Sequence, residues 1–279
     1  MSIPSPRASL AFIVVTGGAL VVLGLGVACK KTEPRTDPQT APQAQAPGAV
    51  PPAGTAAPGT AAAAANAPGV LGKGVIRGTV HFTGKAPEAK PITTPDPFCA
   101  RQALKEEEVV VAPGGGLKNV LIRVTKGATG TYDAPKADAV VDQSGCVYRP
   151  RVQAVMPGQT VQIKNSDQTL HNVHTYKGAS TVFNQAQIPG MGPMSKTFSD
   201  GGQIIKFKCD VHPWMTGYVA VATNPFFAVS AADGSFAIDK LPAGTYTLEA
   251  WHERLGSRTA DVTVTETDPA KATFDFTGA

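Results

Sequence analysis

The chain has 279 residues, 42% of them hydrophobic and only 16% charged. That charged share is below the roughly 25% of an ordinary soluble domain, and 29 Gly with 24 Pro leave little room for long regular helices. Lys and Arg number 25 against 21 Asp and Glu, a formal charge of +4 with no block of one sign, which excludes a nucleic-acid binder that works through a basic face.

Residues 10–28 are an apolar run behind a single cation, Arg7, and end in small residues before Cys29. An apolar core followed by small residues reads as an export signal. The alternative is a membrane-spanning anchor, since the run approaches spanning length. The stretch Leu25-Gly26-Val27-Ala28-Cys29 resembles a bacterial lipoprotein cleavage box, with Gly26 where that pattern prefers Leu. The resemblance implies a signal peptide over 1–28, lipid on Cys29, and a membrane-anchored protein of the periplasm or cell surface. Lys30 follows the Cys, so there is no Asp retention signal, and analogy then favours the outer membrane. Residues 29–72 are mostly Thr, Pro, Ala, Gln and Gly, including Ala61 to Ala65, without an aromatic residue. Such a segment buries too little surface to offset its ordering entropy and predicts a disordered, semi-stiff tether.

From residue 73 onward, short β-rich runs recur between turn signals. Strands are expected over 75–82, 120–125, 148–155, 161–165, 204–208 and 218–221, with turns at Gly114-Gly115-Gly116, Pro157-Gly158 and Asp200-Gly201-Gly202. Helical periodicity is confined to 100–107, two turns at most. The fold class is therefore all-β, and the length suits two small β-sandwiches.

The chemistry concentrates in Cys209-Asp210-Val211-His212-Pro213-Trp214-Met215, a Cys-x2-His-x2-Met spacing, and in Leu170-His171-Asn172-Val173-His174 upstream. A thiolate, imidazoles and a thioether together suit copper that cycles between Cu(I) and Cu(II). Three donors on one tight loop between two strands, stiffened by Pro213, leave a bound ion little freedom to change geometry. A Cys-x2-His pair also suits zinc, but zinc wants a further hard or thiolate ligand where this chain offers Met215. His174 stands three residues from His171, and in a strand such positions face opposite ways. His174 is then an exposed strand residue, the alternatives being an extra ligand or a surface exit for electrons.

Residues 139–223 resemble a cupredoxin, the Greek-key blue-copper β-sandwich of plastocyanin, pseudoazurin and amicyanin. The likeness rests on Tyr148-Arg149-Pro150 through Asn165, on Asp167…His171-Asn172-Val173, and on the short Cys209, His212, Met215 loop. It implies one type 1 copper ion with His171, Cys209 and His212 as equatorial ligands and Met215 as the weak axial one. It also implies Asn172 as a hydrogen-bonding support for the ligand loop, and a redox partner, a cytochrome or a dehydrogenase, docking at an exposed face around His212 and Trp214. With Cys29 assigned to lipid and Cys209 to metal, Cys99 and Cys146 are expected to pair in an oxidising compartment, a second metal site being the alternative.

Residues 224–279 carry a strand, the Asp233-Gly234 turn, a strand, the Pro242-Ala243-Gly244 turn and a further strand. They resemble a carboxypeptidase regulatory-like, transthyretin-like sandwich, and Gly74 to Phe82 looks like that module's first strand. Residues 73–138 either join 224–279 in one sandwich around the inserted cupredoxin or stand apart from it. The whole arrangement is similar to exported proteins of the methylamine-utilisation or plastocyanin-like type. Such a protein is a one-electron carrier rather than an enzyme: five His are too few for a trinuclear copper cluster, and no nucleophile–base pair stands out. Copper delivery or storage is the alternative.

Overall fold

The computed structural model describes residues 67–278. The expected signal peptide, Cys29 and most of the tether lie outside those residues. The tether was expected to run to residue 72, but 67–72 are tied down. Pro68 bridges to Thr131, and the N–H groups of Gly69 and Gly72 donate to the carbonyls of Thr131 and Lys240 at 2.6 and 2.9 Å. Backbone pairing fixes this stretch where composition gave no reason for order.

The chain is all-β. Two strands come first, β1 (Gly74–Thr83) and β2 (Leu121–Lys126). Nine follow: β3 (Ala139–Gln143), β4 (Tyr148–Arg149), β5 (Val152–Val155), β6 (Thr160–Asn165), β7 (His171–Lys177), β8 (Ser180–Gln187), β9 (Met194–Thr197), β10 (Ile204–Lys208) and β11 (Thr216–Val221). The last five are β12 (Phe227–Val229), β13 (Ser235–Leu241), β14 (Gly244–His252), β15 (Gly256–Val264) and β16 (Ala270–Thr277). The nine middle strands form two sheets, ordered β5-β11-β10-β7-β8 and β4-β3-β6-β9. The first two and last five form two more, β13-β1-β16 and β12-β2-β14-β15. Among the described residues, one sandwich is thus assembled from β1, β2 and β12 to β16, with the other inserted between β2 and β12.

Alternation drives both sandwiches. In β14, Tyr246, Leu248, Ala250 and His252 point inward and their neighbours outward, and β16 does the same with Ala272, Phe274 and Phe276. The apolar side chains among these meet Ile76, Val80 and Ile122 in one core. The Asp233-Gly234 turn needs its glycine: Gly234 has φ +82°, and a Cβ there would sit 2.3 Å from the Val80 carbonyl oxygen. The strand expected over 148–155 is split into β4 and β5, because Pro150 has no N–H to continue the ladder. The helix expected over 100–107 is reduced to a single 3-10 turn, Cys99–Arg101. Beyond it the backbone turns away, and Lys105 pairs with Pro91 in an antiparallel bridge.

The sandwiches share a buried seam. Leu121, Val152 and Ala220 are fully packed there, with Tyr218, Phe227, Val229 and Trp251 against them. Tyr218 and Trp251 meet edge to face at 5.2 Å. The Arg151 guanidinium, from the inserted sandwich, binds the Glu253 carboxylate of the other through two nitrogens, Nη2 to Oε2 at 2.9 Å. Both side chains are nearly buried.

Candidate metal centre

Strands β7, β10 and β11 are neighbours, so the residues at their ends converge. His171 is the first residue of β7. Cys209 follows β10, and Met215 precedes β11. Lys208 pairs with Thr216 across β10 and β11 and with His174 across β10 and β7. The 209–215 segment is therefore a strand-to-strand turn, as its sequence suggested. It is closed by the Met215 N–H donating to the His212 carbonyl at 2.9 Å, and Lys208 Nζ reaches over it to the Pro213 carbonyl at 2.7 Å.

His171 Nδ1 and His212 Nδ1 face each other at 2.9 Å. Cys209 Sγ lies 4.0 Å from the first and 3.8 Å from the second. All three side chains are buried. Met215 is fully buried in the same cluster as Cys209. Two imidazole nitrogens and a sulfur turned toward one another in the interior can share either a proton or a cation. Their separations match donors sharing one ion at bond lengths of roughly 2.0–2.3 Å. The residues present therefore fit a soft-to-borderline transition metal.

The supports are as ordered as the donors. Asn172 was expected to support the 209–215 turn, and its side chain bridges the segments that carry His171 and Cys209. Its Nδ2 donates to Asn184 and to Asp210 at 2.7 and 2.9 Å, and its Oδ1 accepts the Asp210 N–H at 2.6 Å. The Asn172 N–H points at Cys209 Sγ at 3.5 Å. Three further supports went unread in the sequence. Tyr148 Oη donates toward the carbonyls of Asn172 and Lys208, at 3.1 and 2.9 Å. Asp167 Oδ2 accepts from His171 Nε2 at 2.9 Å and from the Cys146 N–H at 2.7 Å, and Oδ1 accepts from the Gly145 N–H at 2.7 Å. Asp96 Oδ2 stands 3.4 Å from His212 Nε2. Asp167 was legible as the i−4 partner of His171; nothing local marked Asp96.

These contacts set the protonation of the centre. Burial alone would lower His171, but the hydrogen bond to Asp167 and the Cys209 sulfur reverse this and lift it to about 8. Burial opposes ionisation of Cys209, yet His171 and the N–H groups of Asn172, His212 and Val211 bring its pKa down. His212 moves the other way, lowered by burial and then by the charge of His171. The result favours the thiolate, which is the form that binds a metal.

Cys99 and Cys146 form a disulfide, which overturns the alternative of a second metal site at these sulfurs. The bridge lies against the centre: Cys99 Sγ is 3.8 Å from His212 Nε2, and Trp214 Nε1 donates to the Cys146 carbonyl at 2.9 Å. His212 was expected at an exposed docking edge, but its side chain is only 2% exposed. The segment around Asp96 and the disulfide covers the edge that the inserted sandwich by itself would leave open. His174 stands on the outer face of β7, bonded to Asp210 and Thr181 and stacked on Tyr176 at 4.2 Å.

The chain matches no protein-family model and no curated protein. Among solved structures it is similar to a purple cupredoxin from Nitrosopumilus maritimus, with 25% identity over 30% of this chain and 100% of that one and a TM-score of 0.27. It is similar to amicyanin from Paracoccus versutus at 24% identity, covering 36% of this chain and 96% of that one, with a TM-score of 0.28. A copper-containing nitrite reductase from Thermus scotoductus shows 21% identity over 37% of this chain and 25% of its own length, with a TM-score of 0.29.

Proposed function

We propose that this chain is a type 1 copper protein of the cupredoxin kind that carries single electrons outside the cytoplasm, anchored through lipid on Cys29. The observation that supports this most is the buried convergence of His171 Nδ1, His212 Nδ1 and Cys209 Sγ. His171, Cys209 and His212 would hold the ion, with Met215 as the weak fourth ligand. Bound copper supplies a one-electron couple between Cu(II) and Cu(I), which a thiolate, two imidazoles and a thioether accommodate in both states.

The chain's own residues would keep the donor geometry nearly constant. Asn172 and Tyr148 tie the His171 strand to the 209–215 turn, and Asp167 orients His171 from behind. A braced, dry site suits a carrier, because little must move when the charge changes. It also argues against catalysis, which needs an open coordination position for a substrate. Copper delivery would call for ligands that reach solvent, and these do not. The electron partner would be another redox protein, a cytochrome or a dehydrogenase. The carboxypeptidase regulatory-like sandwich would serve as a rigid mount between the anchor and the copper domain.

Voltammetry of the copper-loaded protein beside a competing copper chelator separates the roles. Reversible one-electron waves with metal content unchanged over hours support the carrier. Transfer of copper to the chelator within minutes, with no reversible wave, would overturn it.

A further inference from the structure

His212 Nε2 is turned away from Cys209 into a buried corner that the inserted sandwich does not build. Two groups meet it there, Asp96 Oδ2 at 3.4 Å and the disulfide sulfur of Cys99 at 3.8 Å. Neither has a hydrogen to give: a carboxylate and a disulfide sulfur can only accept. The hydrogen of a neutral His212 ring therefore belongs on Nε2, which leaves Nδ1 as an acceptor facing His171 Nδ1 at 2.9 Å and Cys209 Sγ at 3.8 Å.

Asp96 is itself held by design of its surroundings. Its Oδ1 accepts the N–H groups of Phe98 and Cys99 at 2.9 and 2.8 Å. Its Oδ2 also accepts Thr169 Oγ1 at 2.7 Å, two residues before His171. The disulfide then pins the Asp96 segment to Cys146, whose N–H shares Asp167 with His171. Each histidine thus has a carboxylate behind its Nε2, Asp167 from the sandwich and Asp96 from the segment joining β1 to β2.

We propose that Asp96, held in place by the Cys99–Cys146 disulfide, is a positioning residue that fixes His212 with Nε2 protonated and Nδ1 presented to the metal. A carboxylate behind a ligating imidazole orients the ring and raises its basicity, and loss of such a partner weakens metal affinity by roughly 10–100-fold. The copper consequence rests on the function proposed above; the tautomer does not.

The test compares native protein with Asp96→Ala and Asp96→Asn. Long-range proton–nitrogen NMR on the metal-free protein at neutral pH reads the tautomer directly. Native His212 should carry its hydrogen on Nε2 alone, and Asp96→Ala should populate the Nδ1–H form. A native ring protonated on Nδ1, or a tautomer untouched by Asp96→Ala, overturns the proposal whatever the protein does with copper. In copper-loaded protein, both variants should bind Cu(II) roughly 10-fold or more weakly. If Cu(I) affinity is unchanged, each tenfold loss raises the potential by about 59 mV. A variant that loses only thermal stability, with tautomer, affinity and potential unaltered, marks a merely structural carboxylate and also overturns it. Native protein that shows the expected tautomer and binds no copper would sink the proposed function and leave the positioning role standing.

Discussion

The two sandwiches are built by the same alternation, yet they bury different things. The one assembled from β1, β2 and β12 to β16 fills its interior with Ile76, Ile122, Leu248, Phe274 and Phe276. Its buried polar side chains are few, Asn224, Ser230 and His252. The inserted sandwich buries Gln143, Arg151, Asn165, Asp167, His171, Asn172, Thr175, Gln187 and His212. Buried polar groups disfavour folding unless they are paired, and in this set only Gln143 Oε1 lacks a partner, so the cluster is a hydrogen-bonded network rather than a packed apolar core. On the function proposed above, one sandwich is a support and the other holds the candidate metal centre at an end closed by the segment around Asp96.

Substitutions on the two sides should therefore fail differently. Phe276→Ala, in the supporting core, should destabilise by about 3–5 kcal/mol in denaturant melts and leave metal binding intact in the protein that remains folded. Cys209→Ser should do the reverse, with a small change in stability and complete loss of thiolate-to-metal absorption. If both changes moved stability and metal binding together, the division of labour would be wrong. At the seam, Glu253→Ala leaves Arg151 buried without its partner and should destabilise by about 3–5 kcal/mol. Its unfolding should also resolve into two transitions, because the ion pair joins the sandwiches. A single transition at native stability would show that the seam does not depend on it.

Opening the Cys99–Cys146 bridge, which closes 47 positions of chain, should lower stability by about 4 kcal/mol through the entropy of the unfolded state. It should also expose His212, read as faster exchange of bound metal. The smallest effect belongs to pH. His252 is buried in the supporting sandwich, and burial followed by the charge of Arg151 lowers its pKa from 6.5 to about 4. Between those values the unfolded chain binds a proton that the folded chain refuses. Its contribution is complete above pH 6.5 and is lost as pH falls, by about 3 kcal/mol at pH 4. His252→Asn should flatten the stability profile over that range, and an unchanged slope would place the acid sensitivity elsewhere.

The strands were readable wherever apolar residues alternate between turn signals, as in β1, β2, β10 and β11. The convergence of His171, Cys209 and His212 was readable because Cys209 and His212 share one short turn and because His171 stands beside Asn172. What escaped had long-range causes. The 100–107 stretch has helix-compatible residues, but tertiary pairing of Lys105 with Pro91 overrides them. Asp96 is 116 positions from His212, and no local pattern announces a partner at that separation. The burial of His212 escaped for the same reason. The resemblance covered only the inserted region, while the cover comes from the segment before it.

The central claim is that His171, Cys209 and His212 hold one copper ion in a braced cage. Electron paramagnetic resonance of the native protein with one equivalent of Cu(II) tests it most directly. A narrow parallel hyperfine splitting that disappears in Cys209→Ser is the expected result. An ordinary tetragonal spectrum, identical in native and Cys209→Ser protein, would contradict it.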